Sequence, residues 1–285
     1  MAHLACDRMD SGARMATKGF VSDENHPHAR EMKRRPYSLV IIARNAAALL
    51  PECIASVPGA DEVLVVDSGS SDDTVAVAEH LGARVICQDW LGYGPQKRFA
   101  ALRAQHDWVL SLDADERLTP ELRASIEQAL LNPEAAAYLL SRRNRFLGRW
   151  LRHGEGYPDW CARLFDRRRA NWSVDPIHEK LEADGPLGRL SGDLLHESEQ
   201  GLTDYLQKQN HYTDLQAERM FAAGKRFSLL KMLTSPLARF VKFYFLRRGF
   251  LDGVPGLVHI AIGCLASFLK YAKLRELQVR RGDRR

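Results

Sequence analysis

The sequence feature that most constrains the fold is an apolar run that ends abruptly in two acidic residues. Trp108–Leu112 is apolar apart from one serine, and Asp113 and Asp115 follow it with one alanine between them. A short apolar run of this kind is typical of a strand buried inside a parallel sheet. Such sheets bind ligands beyond the carboxyl ends of their strands, where the two carboxylates would lie. Taken alone, so short a pattern more often marks a turn or a helix cap than a site, so the rest of the chain has to decide.

Strands and helices alternate along the chain as far as about residue 131. Three further strands are predicted, over Ser38–Ala43, Glu62–Val66 and Arg84–Cys87. One helix is predicted over Asp72–Leu81, with Ser71 as its N-cap and Gly82 at its end, and another begins at Thr119 and Pro120. The alternation indicates parallel βαβ units in an α/β fold. The sequence has neither a GxGxxG nor a GxxxxGK[ST] motif, which disfavours a dinucleotide-binding or P-loop protein.

The segment from residue 137 to residue 200 mixes short strands with a stretch whose composition predicts a binding loop. The stretch Gly154–Trp160 combines glycine, aromatic and polar residues, a combination that suits a binding loop better than a core element. Tyr157 and Trp160 are candidate sugar contacts, and buried structural aromatics are an equally good interpretation of both.

The last third of the chain is predicted to be helical. Apolar residues recur at helical spacing over Tyr205–Ala223 and Leu229–Phe250. The predicted organisation is therefore a disordered tail over residues 1–35, an α/β domain over 36–200 and a helical region over 201–285.

Basic charge is concentrated in the helical region. The chain has a formal net charge of +5, yet residues 219–285 alone contain fifteen Lys and Arg against three acidic residues. A basic helix with an apolar face is typical of interfacial membrane binding. Gly253–Leu269 lacks formal charges, but it is shorter than the roughly 20 residues of a transmembrane helix, and Pro255, Gly256 and Gly263 interrupt it. We expect it to lie on or dip into a membrane; a true span and a buried helix in an oligomer interface are the alternatives.

The cysteines and the N-terminal segment bear on the compartment. The five cysteines are scattered without a CxxC spacing, which favours a reducing compartment. The first thirty residues contain no apolar segment of the kind found in signal peptides. We therefore predict a cytoplasmic protein that is peripheral or monotopic at the inner face of the cytoplasmic membrane. A nucleic-acid-binding protein is disfavoured, because apolar residues interrupt the basic tail and no nucleic-acid motif occurs.

Several segments together resemble one enzyme family. The order and spacing of three of them resemble the inverting GT-A glycosyltransferases of family two: Val65–Asp72, Gly94–Ala100 and Asp107–Glu116. Four more resemble, within that family, the lipopolysaccharide-core glucosyltransferases that add a β-glucose to a core heptose: Arg143–Trp150, Pro176–Lys180, Gly192–His196 and Phe245–Gly253. The resemblance covers roughly residues 37–278.

The resemblance implies a fold and a reaction. The fold is the GT-A nucleotide-diphospho-sugar transferase fold, with a Rossmann-like, mixed but mainly parallel sheet, followed here by a C-terminal helical membrane-associating region. The donor is a nucleotide sugar, with UDP-glucose as the expected one, and the cofactor is a divalent metal, Mg or Mn. The acceptor is a lipopolysaccharide core or another lipid-linked glycan.

The resemblance also implies roles for individual residues. Asp115 holds the metal, and Asp113 contacts the metal or the ribose. Asp67 accepts a hydrogen bond from the base of the nucleotide, unless it only caps a turn. Lys97 approaches the base or the diphosphate, unless it is a solvated lysine in the first turns of a helix. The remaining expected nucleotide-sugar contacts are Ala43, Asn45 and Ala114.

An inverting transfer needs a general base for the acceptor hydroxyl. Asp159 lies where related enzymes carry an acidic residue shortly before an arginine, here Arg163, and it is the expected base. Glu179 is the rival, and His178 beside it is a candidate third metal ligand or a structural histidine. For Arg163, a structural ion pair is favoured over a direct contact with the acceptor.

One departure from the family pattern, and the choice of substrates, remain open. The family has a Lys-Asn-Glu-Glu run after its first strand, whereas this chain has Arg44-Asn45-Ala46-Ala47, so one nucleotide contact or the start of a helix differs. A capsule or exopolysaccharide glycosyltransferase, or one that acts on a polyprenyl phosphate, is an alternative on the same scaffold. Truncation after about residue 228 is expected to release the protein from membranes and to leave nucleotide binding intact.

Overall fold

The computed structural model describes residues 33–174, 179–197 and 201–282. The predicted N-terminal tail lies outside these ranges except for its last three residues, and so does His178. The eleven strands of the described ranges are β1 (Tyr37–Ala43), β2 (Glu62–Asp67), β3 (Arg84–Cys87), β4 (Trp108–Asp113), β5 (Glu116–Leu118), β6 (Ala137–Phe146), β7 (Arg149–Trp150), β8 (Asp159–Asp166), β9 (Ala170–Trp172), β10 (Leu181–Ala183) and β11 (Leu187–His196).

Four helices accompany the strands in the first part of the chain, and three long helices follow them. The seven are α1 (Leu50–Ala55), α2 (Thr74–His80), α3 (Tyr93–Arg103), α4 (Pro120–Leu131), α5 (Leu202–Ala222), α6 (Leu229–Phe240) and α7 (Gly253–Arg280). A π-helical segment, Val241–Leu246, and a 3-10 turn, Gly249–Asp252, connect α6 to α7.

The main sheet is mixed but mainly parallel, and its strand order is β3-β2-β1-β4-β8-β6-β11-β5. Strands β1 to β4 are parallel to one another, β8 is antiparallel to both of its neighbours, and β11 is parallel to β6. Short β7 pairs with the end of β6, and β9 pairs with β10 in a separate two-stranded sheet. This is the α/β architecture that the alternating sequence pattern and the resemblance predict.

Apolar side chains fill both faces of the sheet, as the period of two along a strand requires. Leu39 and Ile41 of β1 pack towards α1 and α4 with a core that includes Leu122 and Ile126. Val40, between them, faces the opposite side, where the core includes Ala100 of α3 and Trp172 of β9. Because both faces are covered, the exposed part of the sheet is its carboxyl edge, where loops can form a site.

The helix boundaries confirm two of the predicted caps and correct a third. The side chain of Thr119 accepts a hydrogen bond from the backbone N–H of Leu122 and caps α4. Gly82, with φ of +80°, ends the turn that follows α2. The predicted N-cap Ser71 is wrong, because α2 begins at Thr74 and Ser71 instead donates its backbone N–H to Asn45 Oδ1 at 2.8 Å.

The C-terminal helices differ from the predicted ones in length. The predicted helix Leu229–Phe250 is interrupted after Phe240 by the π-helical segment. By contrast, α7 runs through Gly263 and on to Arg280. Pro255 lies in its first turn, where a backbone N–H has no partner within the helix, so the proline does not break it. By length and composition, Gly249–Arg280 is the one helical stretch in the described ranges that could cross a membrane.

Candidate functional site

Three of the predicted site residues lie side by side at the carboxyl edge of the sheet. Ala43 ends β1 and pairs with Asp67 at the end of β2, while Ile42 pairs with Asp113 at the end of β4. Parallel strands in this order therefore bring Asp67 and Asp113 to the two sides of β1. Ala114 follows in the turn to β5, with its side chain packed against the core. The sheet thus gathers at one edge residues that are far apart in the sequence.

Asp67 holds the turn that follows its own strand. Its Oδ2 accepts hydrogen bonds from the backbone N–H groups of Gly69 at 2.9 Å and Ser70 at 3.0 Å. Its Oδ1 accepts one from the Ser70 hydroxyl. Gly69 adopts φ of +81°, a value that a residue with a Cβ reaches only at a cost. Turn capping is therefore what Asp67 does within the chain, and a contact with a nucleotide base remains a prediction for it.

Asn45 links the loop that follows β1 to the loop that follows β2. Its backbone N–H donates to Ser70 Oγ at 2.9 Å, and its side-chain oxygen accepts from Ser71. The next two backbone N–H groups, of Ala46 and Ala47, donate to the side chains of Thr74 and Asp72. These bonds provide the start of α1 with hydrogen-bond acceptors in a chain that lacks the acidic residues of the family pattern.

Lys97 and Arg163 hold Asp113 between them. Lys97 Nζ lies 3.0 Å from Asp113 Oδ1, and Arg163 Nη2 lies 2.7 Å from Oδ2. Both cations are almost fully buried, and both stack on the ring of Trp172. Burial alone would raise the pKa of Asp113, but the charges of Arg163 and Lys97 outweigh it and hold that pKa far below its usual range. Lys97 is thus not a solvated lysine, and Arg163 forms the expected ion pair.

Glu116 is a member of this network that the sequence did not single out for a role. Its side chain is fully buried, accepts a hydrogen bond from Arg163 at 2.7 Å and accepts another from the backbone N–H of Asp113 at 3.1 Å. Arg142 lies 3.5 Å from the same carboxylate. A fully buried acid is rare unless it is paired. Its position directly after the Asp-Ala-Asp sequence is the signal that could have found it.

Asp115 faces the other side of the site and meets a histidine from a distant strand. His196 Nε2, at the end of β11, lies 3.1 Å from Asp115 Oδ2. The other ring nitrogen, Nδ1, lies 2.7 Å from Asn144 Oδ1. His196 closes one of the segments that carry the family resemblance, but only the pairing of β11 with β6 and β5 brings it to Asp115.

The carboxylate of Asp115 is of the kind that binds a hard divalent cation together with phosphate. The described ranges contain no group of three His, Cys, Asp or Glu side chains arranged to hold a metal ion. Mg²⁺ needs no such group, because it usually takes one or two carboxylates together with substrate phosphates and waters. Asp115 and His196 are both partly exposed at the rim of the site, and Asn144 orients the imidazole as an outer-shell partner does in metal sites.

The two candidate bases lie in different surroundings. Asp159, at the start of β8, pairs with Arg142, whose Nη2 lies 2.7 Å from Oδ2. Glu179 lies on the Lys97 side, with its Oε1 3.6 Å from Lys97 Nζ. The charge of Asp159 raises the pKa of Arg142, against the effect of burial. Asp159 therefore faces a permanent cation, whereas Glu179 shares Lys97 with Asp113.

A cleft of about 630 Å³ begins at Asp159 and His196 and extends towards the C-terminal helices. Its lining includes side chains from the end of β6, such as Arg142 and Asn144, and side chains of α5 and α7. Tyr157 and Trp160 do not line it: the hydroxyl of Tyr157 donates to Asp193, and Trp160 stacks under Arg189. The cleft is also not lined by the residues predicted to contact the nucleotide, which we call the nucleotide side of the site: Asn45, Asp67, Lys97 and Asp113. It therefore forms a second compartment of the site.

Comparison with known proteins identifies the family of this chain. Residues 38–180 match the model of the family described as Glycosyl transferase family 2. This chain belongs to glycosyltransferase family 2. The match contains β1 to β9, Asp67, Lys97, Asp113 and Asp115, and it confirms the resemblance on which the fold and the activity class were predicted.

Relatives of this family 2 glycosyltransferase match along most of its length. An uncharacterised glycosyltransferase of Rickettsia prowazekii is 34% identical over 259 residues, which is 85% of this chain and 88% of the relative. The lipopolysaccharide core biosynthesis glycosyltransferase LpsC of Rhizobium meliloti is 30% identical over 247 residues, or 84% and 92% of the two chains. Among solved structures, S. aureus TarS in complex with UDP superposes with a TM-score of 0.44 at 14% identity, covering 87% and 92%.

Proposed function

We propose that this glycosyltransferase moves a hexose, glucose from UDP-glucose, with inversion onto a lipopolysaccharide-core or other lipid-linked glycan. The observation that carries the proposal is the position of Asp113 and Asp115 at the carboxyl end of β4, with Lys97 buried beside one and His196 beside the other. The relative LpsC, a lipopolysaccharide core biosynthesis glycosyltransferase, supports the choice of acceptor.

The nucleotide side of the site binds and positions the donor in this proposal. Asn45 and Asp67 hold the two loops that would enclose the nucleotide, and Lys97 reaches the base or the diphosphate. Asp115 and His196 would hold Mg²⁺ or Mn²⁺, with Asp113 contacting the metal or the ribose. Such an ion stabilises the negative charge that develops on the departing diphosphate. His196 is proposed here in addition to His178, which stays a predicted third ligand because it lies outside the described residues.

Asp159 is the proposed general base on the acceptor side. Its side chain lines the acceptor cleft, where a carboxylate can accept the proton of the acceptor hydroxyl, and its ion pair with Arg142 holds it in place. Arg142 is fixed in turn by Glu116. Glu179 is the weaker candidate, because it lies against Lys97 on the donor side rather than in the cleft.

The C-terminal helices carry a surface that we propose lies on an anionic membrane. Along α6 and the π-helical segment, one stripe at helical spacing is both apolar and exposed: Leu230, Leu233, Leu237, Val241 and Phe245. Basic side chains flank this stripe: Lys231, Lys242, Arg247 and Arg248. Each basic residue near an anionic surface contributes about 1 kcal/mol to binding. A soluble helix would turn this apolar face inwards, so the stripe supports insertion into the lipid interface.

Polar contacts along α7 support a helix that lies in the membrane plane rather than one that spans the bilayer. Asp252, at its start, accepts hydrogen bonds from the backbone N–H groups of Arg152 and His153. His259 meets Tyr205 of α5, and Lys273, about three-quarters of the way along α7, bonds to Asn210 of α5. These partners belong to the part of the protein that must stay in water, and they occur along most of the helix.

A donor screen tests the proposed function. The purified protein would be incubated with UDP-, GDP- and ADP-sugars, with Mg²⁺, Mn²⁺ or a chelator, and the consumption of each donor would be measured. We expect UDP-glucose to be consumed fastest and only with metal. When a lipopolysaccharide-core oligosaccharide is added as the acceptor, we expect the transferred sugar to be β-linked. Lack of activity with every donor and both metals would contradict the proposal.

A further inference from the structure

The cleft beyond Asp159 contains a wall that the catalytic residues do not use. Its far side is formed by Phe146 from β6, Tyr205 from α5 and His259 from α7. The ring centroid of Phe146 lies 5.1 Å from that of Tyr205 and 5.2 Å from that of His259. The Tyr205 hydroxyl lies 3.0 Å from His259 Nε2. Three separate elements therefore build one aromatic surface, and two of them belong to the C-terminal helices.

The wall is uncharged but keeps an unpaired polar atom. Burial, together with the nearby charge of Arg239, lowers the pKa of His259 to about 4, so the ring is neutral at physiological pH. Its Nδ1 is buried and has no hydrogen-bond partner within the described residues. That nitrogen has no accessible surface, so the wall offers a ligand its neutral ring surface rather than this atom.

Polar side chains surround the aromatic wall. Gln209 and Lys208 of α5 line the same cleft, and Asn144 and Arg142 line it nearer to the reaction centre. A pyranose ring has an apolar face of C–H groups and an edge of hydroxyls, so it can stack on an aromatic side chain while amides and cations bind its edge. The volume of about 630 Å³ lies within the roughly 300–1,000 Å³ that is usual for small-molecule sites.

We propose that Phe146, Tyr205 and His259 form a subsite for a pyranose ring of the acceptor glycan, so that α5 and α7 help to select the acceptor. This inference rests on the proposed function, because the cleft starts at the proposed base Asp159. It goes further in giving the C-terminal helices a part in substrate recognition. The helices then serve both the membrane surface and the acceptor cleft, which suits a glycan that is attached to a lipid.

The experiment uses a deacylated lipopolysaccharide-core oligosaccharide, which is soluble and does not depend on membrane binding. Saturation-transfer NMR would report its binding to the full-length protein, and transfer kinetics would give its KM. We expect Tyr205→Leu to raise the acceptor KM by about tenfold, the size of one lost aromatic contact, and to leave metal-dependent donor hydrolysis unchanged. Tyr205→Phe keeps the ring and should have a smaller effect.

Two variants serve as controls. Tyr271→Leu makes the same substitution on α7 outside the cleft and should leave the acceptor KM unchanged. Gln209→Ala trims a partly exposed side chain of the cleft, and it carries the test if Tyr205→Leu fails to fold. An unchanged acceptor KM in the folded cleft variants, or no binding of the oligosaccharide to the wild type, would overturn the inference. Absence of donor hydrolysis in the wild type would instead overturn the proposed function.

Discussion

At the scale of single residues, the site is a balance of buried charges around Asp113. Arg163 pairs with both Asp113 and the fully buried Glu116, and Lys97 supplies the second positive charge. Removing one member of such a network leaves a partner charged and buried, which costs far more than the pair itself contributes. Arg163 is therefore expected to matter for folding, and Lys97, the proposed donor contact, for binding.

Replacing Arg163 tests the structural part of this view. Arg163→Met should lower the free energy of unfolding by about 3–5 kcal/mol, because Glu116 would stay buried without its strongest partner. Urea unfolding measures this change. Arg280→Met, which removes an exposed arginine from its ion pair with the exposed Glu276, is the matched control and should change the midpoint little. Equal midpoints for the two variants would show that Glu116 does not depend on Arg163.

A comparison of two isosteric substitutions tests whether Asp159 or Glu179 is the general base. Asp159→Asn should lower kcat for transfer by about 10²–10⁴-fold, the usual contribution of a general base, while Glu179→Gln should retain most of the turnover. Donor affinity, measured by calorimetry, should change little in Asp159→Asn, because the side chain faces the acceptor cleft. The reverse pattern, with Glu179→Gln inactive and Asp159→Asn active, would assign the base to Glu179.

The buried His259 makes a pH-dependent contribution to stability. In the unfolded chain it binds a proton below about pH 6.5, but in the folded protein only below about pH 4, because burial and Arg239 disfavour the cation while Asp252 partly opposes them. Its contribution is thus constant above pH 6.5 and is lost as the pH falls towards 4. Between pH 6.5 and pH 4, the free energy of unfolding of His259→Gln should therefore fall less than that of the wild type. The free energy of unfolding would be measured by urea unfolding at each pH. An equal fall in the two proteins would contradict the lowered pKa of His259.

At the scale of elements, the sequence predicts the parts of the fold that local chemistry decides. The apolar runs of β1 to β4 and the cap at Thr119 are local, and the structure confirms them. Ser71 was wrongly predicted as a cap because its hydroxyl donates to Asn45, which is 26 residues away, while Asp72 accepts the backbone N–H of Thr74 where α2 begins. The pair Asp115–His196 was missed for a similar reason, because it depends on strand order and not on spacing.

The C-terminal helices show the same limit. Basic and apolar residues mark α6 as amphipathic in sequence, but the side that faces outwards is settled by packing against α7. Arg239 points inwards to Glu155 at 3.0 Å, whereas Leu233 and Leu237 point to solvent. A helical spacing alone could not have distinguished this arrangement from a helix with its apolar face in the core.

The exposed stripe of α6 gives a prediction for membrane binding. Leu237→Asp should weaken pelleting with anionic vesicles at least several-fold, because a charged side chain would replace an apolar one that inserts into the interface. Donor hydrolysis in solution should be unchanged. Leu102→Asp, at an exposed leucine of α3, is the matched control and should pellet like the wild type. Equal pelleting of the wild type and both variants would contradict membrane binding through the exposed stripe of α6.

At the scale of the whole molecule, charge and function divide between two parts of the chain. Residues 219–285 carry a net charge of +12, whereas the remainder is net acidic. This asymmetry would orient the protein on an anionic surface, with the acceptor cleft next to the helices that touch the membrane. The predicted boundary near residue 200 remains a proposal, since ion pairs such as Glu155–Arg239 join the two parts.

Truncation tests how far the two parts can be separated. A chain cut after about residue 228 keeps the main sheet and the nucleotide-side residues, so it should still bind UDP while no longer pelleting with vesicles. It also loses His259 and one wall of the cleft, so transfer to an acceptor should fall even in solution. Thermal stabilisation by UDP would measure binding. Loss of UDP binding would show that the nucleotide side depends on α6 and α7.

The metal dependence of UDP-glucose binding tests the central claim most directly. Calorimetry with Mn²⁺ should show that Asp115→Asn and His196→Gln each weaken binding of UDP-glucose by about 10–100-fold, and that a chelator weakens wild-type binding in the same way. Asp73→Asn, at an exposed aspartate whose side chain caps nothing, should bind like the wild type. Binding that is independent of metal and equal in all four proteins would contradict the assignment of Asp115 and His196 to a metal-bound nucleotide sugar.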